Sequence, residues 1–275
     1  MNTSTPLFFR PKNPTSPLHI ERSEGEYTES LHVVSHREYT DRGCRISCAT
    51  LSDNTSYHTM ITDDIRFCPK SDLHRYSAVL TSLLLSYLKK NKEDDKNGNV
   101  LFCGLGNGRL TADALGPMIC HRLSASGEDP LLGSDAGSLY VLKPGVPSQT
   151  GMKTGDHIRA VAEKIRPQVI ITADAAAAKT AQRLASVVQI TDIGVRAGAG
   201  VGKDADEISR RTMPCPVISI SVPTVIRADL SSGEGEDFLV SPCDIDHISE
   251  RYANMIALSL NRIFAPLLCE EIFPI

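Results

Sequence analysis

The chain has 275 residues, 41% hydrophobic, 23% charged and 5% aromatic, with 29 basic against 33 acidic side chains. A chain of this length buries about three quarters of the surface it exposes when unfolded, so it needs no staple, and a disulfide miniprotein is excluded. The net charge of -4, with no basic block longer than Lys89-Lys90, leaves no electrostatic footprint for DNA or RNA phosphates, and no direct nucleic-acid partner is expected.

Residues 1–30 are rich in Pro, Ser, Thr and charge and predict a flexible arm, followed by a single α/β domain over 31–275. The apolar run Leu7-Phe8-Phe9 is too short for a secretory signal. The best apolar stretch, 79–88, contains Thr81, Ser82, Ser86 and Tyr87 and falls short of a bilayer span. An intracellular protein without a membrane anchor is expected. Segments 45–49 and 57–61 alternate and predict an antiparallel pair turning at Asp53-Asn54. Ser71 is placed to cap a helix over 72–90, with Leu80, Leu83, Leu84 and Leu88 on one face, and 89–99 is a charged, solvated loop.

From Val100 the pattern changes. The apolar run 100–103, the glycine turn 104–108 and the helical spacing of Leu115, Met118, Ile119 and Leu123 predict strand, tight turn and helix. A helix over 156–165 leads to a strand over 169–173, which ends at Asp174 and opens a helical 175–184. Segments 187–190 and 217–222 read as further buried strands, and 245–264 as a long closing helix. Continuous apolar strands alternating with helices predict an α/β fold whose twisted, mainly parallel sheet carries helices on both faces.

In such a sheet catalytic groups collect at the carboxyl ends of the strands. Asp113 follows the glycine turn and Asp174 ends a strand directly, so neighbouring strands would bring the two carboxylates face to face. Two close carboxyls cannot both ionise cheaply; one keeps a proton and polarises a carbonyl while the other activates water. Asp174 can equally be the N-cap of the alanine run, and Asp113 a charge that favours the helix dipole. The turn containing Gly106 and Asn107 has Arg109 where a dinucleotide fingerprint needs glycine, and the loop with Gly198, Gly200 and Gly202 lacks the first glycine and the Ser/Thr of a phosphate loop. Both are read as glycine loops whose backbone amides position substrate. Cys44, Cys48, Cys68, Cys103, Cys120, Cys215, Cys243 and Cys269 form no CxxC pair, and no HExxH or GxSxG occurs. Reduced thiols and no metal or other cofactor are expected.

The string GLGNGRLTADALGP over 104–117 resembles the glycine turn and "TPDALGP" segment of the germination proteases of spore-forming bacteria. IITADAAAAK over 170–179, QITDIG with GAGVG over 189–202, PVISISVPT over 216–224, and VSPCDID over 240–246 with Ala253-Asn254 are similar to further segments of that family, in the same order over about half the chain. The resemblance implies a fold like that of the hydrogenase-maturation peptidases. It also implies an aspartic endopeptidase of the spore core that degrades small acid-soluble spore proteins, with Asp113 and Asp174 at the positions of the catalytic pair. It further implies a zymogen that loses a propeptide and a homo-oligomer, commonly a tetramer. Lys179 and Ala112 stand where the family has arginine and proline, and the segment between Leu230 and Phe238 is shorter than the family's insertion, as in a short, divergent member. Two other readings are a maturation-type peptidase that recognises a metal on its substrate, with His121 as candidate ligand, and a catalytically silent binding or assembly protein of the same fold.

Overall fold

The computed structural model describes residues 33–91, 98–127, 137–178, 180–197, 206–228 and 238–266. The expected arm at 1–30, the cores of the loops at 89–99 and 198–202, and the short segment after Leu230 lie outside the described residues.

The sheet has nine strands: β1 (Val33–Asp41), β2 (Cys44–Leu51), β3 (Ser56–Ile61), β4 (Val100–Gly104), β5 (Leu139–Leu142), β6 (Val169–Ala178), β7 (Val187–Thr191), β10 (Val217–Ala228) and β11 (Phe238–Val240). Their order is β1-β2-β3-β7-β10-β6-β4-β5, with β11 also on β10. The core strands β10, β6, β4 and β5 are parallel, as the apolar runs predict. The hairpin β2–β3 turns where Asp53-Asn54 places it, and with β1 and β7 it extends the sheet antiparallel. A separate ribbon pairs β8 (Val195–Ala197) with β9 (Asp206–Ile208).

Residues alternate between two cores, as strands covered on both faces require. Val100, Phe102, Val169, Ile171, Ile218 and Ile220 face α1 (Lys70–Lys90), α2 (Leu115–Cys120) and α5 (Ile245–Phe264). Leu101, Cys103, Ile170 and Val217 face α4 (Thr154–Ile165) and the β8–β9 ribbon. Helices therefore cover both faces. Helix α5 has the bounds its apolar periodicity predicts, whereas α1 begins two residues before Asp72, with Pro69 at the cap position and no side-chain cap; Ser71 lies inside the helix.

One prediction fails locally. Residues 175–178 are strand, not helix: β6 runs on through Asp174 to Ala178, paired with β10 as far as Ile226↔Ala178. Of the expected helix 175–184 there is only a short 3₁₀ turn at Ala181–Arg183. Alanine's helix preference is under 1 kcal/mol per residue, less than the continuous ladder that β10 offers. The extension has a counterpart on β10. Antiparallel pairing to β7 stops at Ser221↔Gln189, one rung before Pro223, which has no N–H for the next rung. Beyond it, β11 takes the vacated edge of β10.

Strand β4 and helix α2 approach so closely that glycine is required on both. A Cβ on Gly104 would lie 2.2 Å from the Gly116 carbonyl oxygen, and one on Gly116 would lie 2.2 Å from that of Leu105. Gly116→Ala should therefore destabilise the protein by about 1–3 kcal/mol, read as a lowered urea midpoint. An unchanged midpoint would show that the strand–helix spacing can relax freely.

Candidate active site

Strands β4 and β6 are immediate parallel neighbours, in register from Val100↔Val169 to Gly104↔Ala173. The last link is the hydrogen bond from the Leu105 N–H to the Ala173 carbonyl, 2.9 Å. There β4 ends, and Asp174 is the next residue of β6. It is not a helix N-cap; it lies inside a strand, and its Oδ1 accepts the N–H of Ala175 at 2.9 Å.

After Leu105 the chain makes the glycine turn and a 3₁₀ turn, Thr111–Asp113, that leads into α2. Gly106 has φ +103°, and a Cβ on it would sit 2.2 Å from the Asp113 carbonyl oxygen and 2.8 Å from its Oδ1, so only glycine lets the turn fold back onto Asp113. The Asn107 N–H donates to Asp113 Oδ2 at 2.8 Å. The Asn107 side chain is fixed in turn, its Oδ1 accepting the Arg109 N–H (3.0 Å) and the Gln149 carboxamide. Gln149 belongs to the short helix α3 (Pro147–Thr150), which no motif of the sequence singles out. Thr224 on β10 braces the turn from the other side, its hydroxyl donating to the Ala112 carbonyl at 2.8 Å.

Both carboxyls are partly screened from solvent. Burial pushes Asp113 above the ordinary carboxylate range, opposed by the Asn107 N–H, which favours the ionised form. Asp174 is pushed up to about 7, first by burial and then by the negative charge of Asp113, with the Ala175 N–H pulling the other way. Both candidate acids thus lie just beyond the last β4–β6 link, Asp174 within β6 and Asp113 in the turn that follows β4, and the charge of Asp113 adds to the shift of Asp174.

Of the other expected site residues, Gly106 and Asn107 border Asp113, and Gly198, Gly200 and Gly202 lie outside the described residues. His121 is exposed at the end of α2 opposite Asp113, with Lys143 Nζ 3.3 Å from its Nε2, a cationic neighbour unsuited to a metal ligand. Among the described residues no group of three or more His, Cys, Asp or Glu is arranged to hold a metal ion. Cys44, Cys48, Cys68, Cys103 and Cys215 are buried; Cys243 is exposed, and Cys269 is outside the described residues. No helix among the described residues is long and apolar enough to cross a membrane.

The raised pKa of Asp174 fixes the sign of a stability effect. Below about pH 4 the group is protonated in folded and unfolded chains alike. Between there and about 7 the unfolded chain releases a proton that the folded chain keeps, so stability falls as pH rises, and above about 7 the loss is complete. Asp174→Asn should therefore gain stability over the parent in a manner that grows from about pH 4 to about pH 8, by up to about 4 kcal/mol. Equal gains at both ends, in paired urea titrations, would show that Asp174 carries no shifted pKa.

A family model described as germination protease matches residues 49–234. Germination proteases of Bacillus cereus (strain AH187) and Oceanobacillus iheyensis are 34% and 32% identical over 234 and 193 residues, 80% and 67% of this chain. The chain covers 63% of the first and 52% of the second, so it spans between half and two thirds of the length of these relatives. A [NiFe] hydrogenase maturation protease HycI from Thermococcus kodakarensis KOD1 aligns with 61% of this chain and 95% of its own, at 17% identity and a TM-score of 0.37, a likeness too slight to add to the assignment. On the strength of the family match and these relatives, the chain belongs to the germination protease family.

Proposed function

We propose that the protein is an aspartic-type endopeptidase that degrades small acid-soluble spore proteins in the spore core during germination, with Asp113 and Asp174 as its catalytic pair. The observation that carries this reading is the placement of the two carboxyls just beyond the carboxyl end of β4, Asp174 on the adjacent β6 and Asp113 in the turn that follows β4, with the charge of Asp113 helping to hold a proton on Asp174 near neutral pH. Family membership supports peptide hydrolysis as the reaction.

On this reading each acid has a distinct role. Asp174, shifted to about 7, carries the shared proton and donates it in a hydrogen bond to the scissile carbonyl oxygen. Asp113, whose ionised form is favoured by the Asn107 N–H, takes a proton from water as the water oxygen bonds to the carbonyl carbon. Collapse of the tetrahedral adduct breaks the C–N bond, and the proton held by Asp113 passes to the departing amine. The glycine turn, and with it the 198–202 loop, supplies backbone amides that position the substrate. The same reading takes the chain as a homo-oligomer, a tetramer by resemblance, made as a zymogen.

Asp113→Asn and Asp174→Asn should each lower the rate of cleavage of a small acid-soluble spore protein by about a thousandfold while leaving the fold intact, with fragments mapped by mass spectrometry. Cleavage by the parent should fall as pH rises through about 7, where Asp174 loses its proton. Undiminished cleavage by either variant would remove the two-carboxyl mechanism, and binding without cleavage by the parent at any pH would favour a silent binding protein.

A further inference from the structure

Strands β6 and β10 run on together past both of their neighbours, but the two outer edges are treated differently. On β10 the edge is covered by β11. On β6, pairing with β4 stops at Ala173, and no described strand replaces it. Successive residues of a strand direct their backbone groups to opposite sides. The Ala173 carbonyl bonds β4's chain at Leu105 N–H, while the Ile170 N–H bonds Pro216 at the start of β10, so odd-numbered residues of β6 address the β4 side and even-numbered ones β10. Ala175 and Ala177 therefore present their backbone groups to the open side. The Ala175 N–H is taken by Asp174 Oδ1, but the Ala175 carbonyl and both backbone groups of Ala177 have no hydrogen-bond partner among the described residues.

We infer that a polypeptide substrate binds as an added β-strand, parallel to β6, along the open edge formed by Ala175 and Ala177. The inference deepens the peptidase reading and rests on it. In a parallel ladder one residue of the incoming strand donates its N–H to one residue and accepts from the residue two further on. The free Ala175 carbonyl and Ala177 N–H supply that acceptor and donor, whereas an antiparallel partner could pair only at Ala177, because its next pair would need the Ala175 N–H that Asp174 occupies. The incoming residue lies opposite Ala176, and its own N-terminal neighbours pass beside Asp174 and Asp113. The occupant is an extended protein segment because a lone carbonyl and N–H at ladder spacing recognise backbone, not side chains. Ala175 and Ala177 are half-buried, whereas Ala176 and Ala178 are buried, so what is shaded at this edge is the face that carries Ala176 and Ala178. Substrate anchored this way is held on the C-terminal side of its scissile bond.

The test uses fluorescein-labelled peptides of about a dozen residues tiled across a small acid-soluble spore protein, titrated by anisotropy against Asp174→Asn, whose side-chain oxygen can still accept the Ala175 N–H. The tightest peptide is then remade with single N-methyl amides. Loss of affinity of roughly tenfold at two positions separated by one insensitive position is expected, on the C-terminal side of the bond the parent cuts. In the unlabelled complex, exchange of the Ala177 amide hydrogen, followed by NMR, should slow by at least about tenfold, with the edges at β1 and β5 unchanged. Uniform or absent N-methyl sensitivity, no binding by any tile, or unaltered exchange at Ala177 would each overturn strand addition at this edge. Alternation with protection at Ala177 but no cleavage by the parent would retain the strand site and remove the peptidase reading instead.

Discussion

The site depends on one backbone relation: β4 pairs with β6 in parallel and stops one residue short of Asp174. If β4 continued, its ladder would cover the edge of β6 and the Asp174 carboxyl would lie inside a closed sheet. Its early stop is enforced by the close contact between Gly104 and Gly116, which brings α2 down against the strand end and sends the intervening chain over the top as the glycine turn. That turn returns Asp113 to the place β4 has just left, and Gly106 and Thr224 hold it there. A topology shared with many parallel sheets thus becomes a two-carboxyl site through the length of a single strand.

Such a site works against folding. Each acid receives one described backbone N–H, from Asn107 for Asp113 and from Ala175 for Asp174, and one bond is too little to hold two neighbouring carboxylates fully ionised away from water. Burial and the charge of Asp113 accordingly push Asp174 up to about 7, the direction that the proposed acid/base hydrolysis requires. The supports around the pair are correspondingly rigid. Gln149 and the Arg109 N–H fix the Asn107 carboxamide, and α5 is tied to the chain just past α2 by Arg122 Nε to Asn254 (2.6 Å) and by Asn261 to the Arg122 carbonyl (3.0 Å).

Much of this was legible in the residues because burial leaves a period. The strands β4, β6, β7 and β10 and the helices α1, α4 and α5 follow runs and stripes of apolar side chains, and Asp113 and Asp174 stand where those runs end or turn. What could not be read has a common cause, since it is decided by partners distant in sequence. Strand β1 is exposed along nearly its whole length and has no apolar pattern to betray it; it exists through its ladder to β2. The four-residue β5 is too short to show one. Gln149 acts through a side chain that reaches Asn107 across 42 positions of sequence, and nothing in its own surroundings marks it.

The alanine run is the most instructive of these cases. By intrinsic preference 175–178 should be helical, and alanine packs poorly in sheets, so β6 gains little from these side chains themselves. Its extension is held instead by the ladder to β10 and by the tightly packed Val169, Ile170, Ile171 and Ala173 that precede it. A run of valine or isoleucine would have made a stronger strand. It would also have raised branched side chains on both faces of the edge next to Asp174. Alanine gives up local stability and keeps the backbone of that edge within reach, a compromise that makes physical sense where the edge has to receive another chain and not where it serves only to complete the sheet.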